Sequence, residues 1–311
     1  MLSPFLEKEN KMTSDEKKLR RREGISAGLM LSPAVILLLV TSIYPFFWLF
    51  RYVLYDYNGF AAYFTGFDNI KRAFSDVVFW KSVLHTFEYA IMKLILVLPG
   101  SLLLAVIIHN NIPGSKGFKL IFFLPTVISA SVYALIFTFI FAVFKGPLNT
   151  MLQAIGLIDA PVDWLGDPKV VMYAVVMVAV WGGIGNYMIY FLSGLSSVSS
   201  EIYESAMIDG ANSRQTFFRI TLPMLAPILK VILLLAITTA FKDYESILVL
   251  TAGGPNNRSH VMFTYIYELI FGGSSNPQIG YATVLSIISA IIIGVVTVVY
   301  QKLAKRLDDV V

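Results

Sequence analysis

"EIYESAMIDGANSRQTFFRITLPML", residues 201–225, is the wettest stretch in the second half of a chain otherwise made of apolar runs. It sets Glu, Asp, Arg, Gly and Pro into a helical apolar pattern. It lies between the uncharged run 170–200 and the mostly apolar run 223–250. What this segment is for depends on what its two neighbours are.

The neighbours read as membrane spans. The chain has 311 residues, 57% of them apolar and 14% charged, with a mean hydropathy of +0.72. A soluble domain of this size needs far more polar surface, so the chain belongs in lipid. The net charge of +4 is not gathered on an aromatic-interleaved surface, which argues against nucleic acid as a partner. Cysteine is absent, which excludes disulfides, thiolate metal sites and cysteine nucleophiles. His85, His109 and His260 lie far apart and form no ligand pair. Residues 1–23 are largely polar and are followed by no small-residue cleavage site, so no cleaved signal peptide is expected.

About 20 apolar residues cross the hydrocarbon core as a helix. Residues 24–50 carry no charge, 81–109 are interrupted by Glu88 and Lys93, and 120–144 are clean. Residues 170–200 are clean, 223–250 hold Lys230, Lys242, Asp243 and Glu245, and 279–301 are clean again. The expected fold is therefore all-α and polytopic, with six transmembrane helices and both termini on one side. Lys8, Lys11, Lys17, Lys18, Arg20, Arg21, Arg22, Lys116, Lys119, Arg214, Arg219, Lys302, Lys305 and Arg306 fall on that side. Arg51, Lys71, Arg72, Lys81, Lys145, Lys169 and Arg258 fall on the other. The two-to-one bias puts both termini, and residues 201–225, in the cytoplasm. Residues 1–23 form a basic tail, 24–301 the transmembrane domain and 302–311 a C-terminal tail. The outer loops "FTGFDNIKRAFSDVVFW" and "GLIDAPVDWLGDP" read as short caps, with turn-forming Asp and Pro and interfacial Trp.

As a helix, residues 201–209 place a partial apolar face beside Glu201 and Glu204. Gly210 disfavours continuation, at about 1 kcal/mol relative to Ala inside a helix. Asn212 and Ser213 are candidate caps for a second helical piece, and Pro223 suits the first turn of the next span. Helix, sharp turn, helix at the membrane surface is the picture. A helix that merely anchors a loop fits it too.

Glu204-Ser205-Ala206, three residues, Gly210, nine residues and Ile220-Thr221-Leu222-Pro223 resemble the EAA loop of inner-membrane permease subunits of binding-protein-dependent ABC importers. Ser205 stands where the family commonly has Ala. "LSPAVILLLVTSIYPFFW", "FFLPTVISA", "DWLGDP" and "VLTAGGPNNRS" extend the likeness to carbohydrate-type permeases over nearly the whole chain. The resemblance implies a six-helix subunit that pairs with a second permease in the bacterial or archaeal inner membrane. It implies two ATPase subunits, an extracytoplasmic solute-binding protein and a sugar, oligosaccharide or glycerol-phosphate solute. It assigns residues 196–222 to the EAA loop, with Glu204, Ser205, Ala206, Asp209, Gly210 and Ala211 coupling to the ATPase.

No segment fits G-x-x-x-x-G-K-[ST], so no cofactor is expected in this chain, and ATP and magnesium belong on the partner ATPase. The "GGIGN" run, 182–186, lacks Lys and suits close helix packing. No catalytic constellation emerges, and none is expected of a transport subunit. Ionisable groups inside spans are expensive and usually face a cavity or each other. Glu88, Lys93, Lys242, Asp243, Tyr244 and Glu245 are therefore candidates to line a solute path, with Trp181 and Asn186. Glu88 and Lys93 are five apart and do not meet on one helix, so partners elsewhere are expected. Counted along a helix from Pro223, the 242–245 cluster falls near the outer membrane face, where snorkelling to water is the plainer account. A stand-alone secondary carrier or channel is the alternative; it needs its own coupling-ion site and often repeated halves, and no clear internal repeat is present. An intramembrane enzyme needs clustered acids or histidines at a membrane edge.

Overall fold

A computed structural model describes residues 14–110, 112–273 and 276–308. Lys8 and Lys11 of the N-terminal tail, and residues 309–311 of the C-terminal one, lie outside these. The tail is helical from Ser14 and runs directly into the first span: α1 (Ser14–Leu38), a π-helical turn (Leu39–Ile43), α2 (Tyr44–Phe50) and a 3-10 turn (Arg51–Leu54). The widened turn ends two residues before Pro45, whose ring clashes with the carbonyl four residues back in a regular helix. A second π turn, Phe217–Thr221, stands in the same relation to Pro223.

Beyond the first span a small hairpin, β1 (Tyr55–Tyr57) and β2 (Ala62–Phe64), pairs antiparallel and leads to α3 (Asp68–Ser75). This hairpin is the one departure from an all-α chain among the described residues. Then come α4 (Val77–His109), α5 (Ser115–Val127), α6 (Ala130–Ile140), α7 (Pro147–Ala154) and α8 (Val171–Ser196). The segment around residues 201–225 follows as α9 (Ser200–Ile208), α10 (Ser213–Thr216) and α11 (Leu222–Met224). The chain closes with α12 (Ala226–Lys242), α13 (Glu245–Thr251), α14 (Met262–Phe271) and α15 (Ile279–Asp308).

Four stretches are long and apolar enough to cross a membrane: Arg22–Leu54, Val77–His109, Val171–Ser196 and Ile279–Lys305. Two bent pairs, counted as one span each, bring the total among the described residues to six. The run expected as a clean third span is broken between α5 and α6, which meet at 101°. Pro125 supplies no backbone donor there, and Ile128 and Ser129 adopt extended backbone. The fifth span bends by 69° at Leu225 and unwinds again at Asp243 and Tyr244.

α4 organises the bundle. It packs most extensively against α8, and its residues enter all three apolar clusters. One cluster joins α3, α4, α12, α14 and α15; a second joins α4, α6, α8 and α13; a third joins α4, α8 and α12. Gly185 lets α8 touch α5, since a side chain there would overlap the carbonyl of Phe122. Gly182 similarly receives the ring of Tyr133, so the "GGIGN" run serves packing as expected. The first span joins the core only at its end, where Tyr52 is buried and Val53 packs on the first cluster; from Arg22 to Arg51 no residue is buried.

The loops before α4 and around α7 are pinned by single polar side chains. Asp76 Oδ1 accepts from the amides of Val78 and Phe79, capping α4, while Oδ2 accepts from the hydroxyls of Tyr265 (2.9 Å) and Tyr281 (2.6 Å). Asn149 is buried; its amide donates to the carbonyls of Ala142 and Val162, and its oxygen accepts from Val162 and Trp164.

Candidate functional site

The 201–225 segment is shaped by bonds between near neighbours. Ser199 caps α9, its hydroxyl accepting from the amide of Glu201. At the far end the amide of Gly210 donates to Met207 and that of Ala211 to Ala206, the paired bonds of a Schellman stop. This stop needs a left-handed residue, and Gly210 supplies it at φ +77°. Asn212 then opens α10 through a capping box, its side chain accepting from the Gln215 amide at 2.9 Å while Gln215 accepts from the Asn212 amide at 2.9 Å. The cap expected at Asn212 is thus the one used.

Only Ala206 of α9 is buried; Ile202 and Tyr203 are half-buried, and the Tyr203 hydroxyl lies 3.4 Å from that of Thr221. Glu201, Glu204, Ser205 and Asp209 are exposed, and so are Met207 (66%) and Ile208 (87%). Carboxylates and two bare apolar side chains thus share this exposed surface.

The charges inside the spans meet across the bundle. Lys93, at the middle of α4, donates to Asp243 Oδ2 at 2.6 Å, and the Tyr89 hydroxyl donates to the same oxygen at 2.5 Å. Asp243 lies in the two-residue gap between α12 and α13, so the ion pair fastens the unwound part of the fifth span to the second. Both partners are largely enclosed, with side-chain exposures of 6% and 17%. Glu88 makes a separate bidentate pair with Arg258, at 2.6 and 2.7 Å. Glu88 and Lys93 thus each have a partner elsewhere in the chain, as their spacing required.

A cavity of about 480 Å³ opens where the two helix breaks face each other. Lys93, Asn186, Lys242, Asp243, Tyr244 and Glu245 line it, six of the eight residues expected on a solute path. Thr126, Tyr133, Tyr187, Thr238 and Thr239 add hydroxyls. Two expected residues are elsewhere. Glu88 lies about 7.5 Å along α4 from Lys93, toward the Asp76 end. Trp181 packs edge-on against Tyr133 and Phe137 instead of lining the cavity.

The depth of the 242–245 cluster needs correction. Counting from Pro223 placed it near the outer face, yet Asp243 is bonded to the middle of a 33-residue helix. Discounting the three residues up to the bend at Leu225 shortens that count by only about 4.5 Å, so the pairing with α4, and not the rise of α12, sets this depth. Tyr89, Tyr133, Arg258 and the threonines were missed from sequence. Tyr89 alone had a signal, standing one turn before Lys93 on the same face.

Comparison with known proteins follows the same lines. The family described as "Binding-protein-dependent transport system inner membrane component" matches residues 97–309. The probable ABC transporter permease protein YurN of Bacillus subtilis is 32% identical, over 89% of this chain and 95% of its own length. The trehalose/maltose transport system permease protein MalF of Thermococcus litoralis is 30% identical, over 97% of this chain and 100% of its own. A solved bacterial alginate ABC transporter, in complex with an alginate pentasaccharide-bound periplasmic protein, contains a similar chain. It has a TM-score of 0.79 and 27% identity, covering 94% of this chain and 97% of that one.

Proposed function

The chain belongs to the family of binding-protein-dependent transport system inner membrane components, and from that premise we propose that it carries sugars or oligosaccharides inward, as one of two permeases lining a shared path. The observation that carries this reading is the polar cavity between the two helix breaks. Its hydroxyls, amide, carboxylates and ammonium groups offer donors and acceptors in mixed order, which suits a polyhydroxyl solute.

In this reading the 201–225 segment faces the cytoplasm. The exposed face of α9 docks on an ATPase, with Glu204 offering a carboxylate and Met207 and Ile208 filling an apolar groove. Two ATPase subunits hold the ATP and magnesium; an extracytoplasmic binding protein delivers the solute. The α9–α11 piece is tied to α12 through its bend, and to α8 through the short turn before Ser199. A shift of the ATPase surface therefore reaches the helix breaks that border the cavity, provided its contacts differ between two states.

Co-purification tests the proposal. The chain is expected to bring down a second permease and an ATPase, with hydrolysis stimulated by solute only when a binding protein is present. Solute uptake into liposomes by this chain alone, without ATP, would overturn it in favour of the stand-alone carrier.

A further inference from the structure

A second polar cleft, of about 650 Å³, lies at the opposite end of α4 from Asp76, where α4 ends, α5 begins and α8 runs out. His109, Ser115, Lys116, Lys119, Ser193 and Ser196 supply its polar lining. No carboxylate lines it. Lys116 and Lys119, three apart, share one face of α5, and neither forms an ion pair among the described residues. The hydroxyls of Ser115 and Ser193 likewise make no hydrogen bond among the described residues. Two unopposed cations beside unused donors form a receptor for negative charge. The rest of the wall is apolar, from Ile108, Ile189 and Leu192, and α5 continues past Lys119 into exposed Leu120 and Ile121.

We propose that this cleft binds a phosphate-bearing anion, either the headgroup of an anionic lipid or free phosphate. A lipid would set its phosphate between Lys116 and Lys119 and lay its acyl chain along Leu120 and Ile121. The α8 end of the cleft leads within four residues into α9, so the occupant sits at the joint between the spans and the coupling segment.

Native mass spectrometry tests the site on the full chain, in the assembly in which it purifies. The probes are phosphatidylglycerol, phosphatidylcholine and inorganic phosphate. The Lys116→Gln/Lys119→Gln variant is expected to hold phosphatidylglycerol roughly thirtyfold more weakly than the parent. Phosphatidylcholine should be held equally by both. Lys116→Arg/Lys119→Arg should keep most of the binding, and Lys145→Gln all of it. Displacement of the lipid by millimolar inorganic phosphate would identify free phosphate as the ligand; retention would identify the lipid. Equal phosphatidylglycerol binding by the parent and the double Gln variant, each checked for an unchanged melting temperature, would overturn the proposal. So would failure of the Arg variant to bind. Binding in solution is independent of which way the chain crosses the membrane, so a negative result leaves the proposed sidedness untouched.

Discussion

The 201–225 segment and the Tyr89–Lys93–Asp243 cluster each hold polar groups within an apolar chain, by opposite means. In the segment, the caps and the stop act within five residues: Ser199 on Glu201, Ala211 on Ala206, Asn212 and Gln215 on each other. Its charges stay in water. In the cluster, the bond between Lys93 and Asp243 spans 150 residues of sequence, and both charges are enclosed. The first kind of site is stable wherever the local sequence recurs. The second exists only after α4 has packed against α12 and α13, and each partner alone is a liability.

The largest effect is expected where an enclosed partner is removed. Lys93→Met leaves Asp243 facing the cavity without its cation, and should destabilise the assembly by about 3–5 kcal/mol. Thermal unfolding in detergent measures it. Lys93→Met/Asp243→Leu should recover much of that stability while leaving uptake impaired. If the single variant melts like the parent, the contrast between the two regions collapses.

Gly210→Val comes next. A side chain in the left-handed region costs about 1–2 kcal/mol, and more when β-branched. The expected outcome is normal membrane levels with loss of solute-stimulated hydrolysis. Gly210→Asn, which tolerates that backbone, should retain part of it; loss of membrane insertion in Gly210→Val would instead make the segment an anchor. Glu204→Ala should weaken capture of the ATPase about tenfold, read by pull-down, with the spans unaffected. Asn212→Ala should cost only about 1 kcal/mol, as faster hydrogen exchange confined to residues 213–219.

Asp76 belongs to both kinds, capping its own helix and holding two distant tyrosines. Burial pushes its carboxyl up, but the bonds from Tyr281, the Phe79 amide, Tyr265 and the Val78 amide together hold it below the ordinary value of 3.8. Its stabilising contribution is therefore complete above that value and is lost as pH falls through the lower folded one. The melting difference between the parent and Asp76→Asn should be constant from pH 7 to pH 5 and shrink below about pH 4. A difference that instead vanishes near neutrality would remove this role.

Legibility followed the same division. Six apolar runs, the Gly210 turn, the Asn212 cap and the packing role of Gly182 depend on neighbours in sequence, and the sequence displays them. The need for interhelical partners at Glu88 and Lys93 was also readable, because five residues do not bring two side chains together on a helix. Which partners they take was not. Arg258 reads as a loop charge and Asp243 as an interfacial one, and nothing beside either position in sequence points to α4 as the partner. The break between α5 and α6 had a local sign in Pro125, but a proline near a helix end does not fix an angle of 101°. Six of the eight path candidates line the cavity; Trp181 fails because aromatic rings find ring partners as readily as solute.

The unburied first span bears on the order of biosynthesis. Residues 22–51 leave the ribosome before every helix of the core, yet none of them is buried in it. The remaining helices therefore need no folding template from the segment made first, and once inserted it is a tether waiting in the bilayer. Quality control that senses buried contacts within the chain is blind to that tether, so a lesion in residues 22–51 would escape it until assembly is complete.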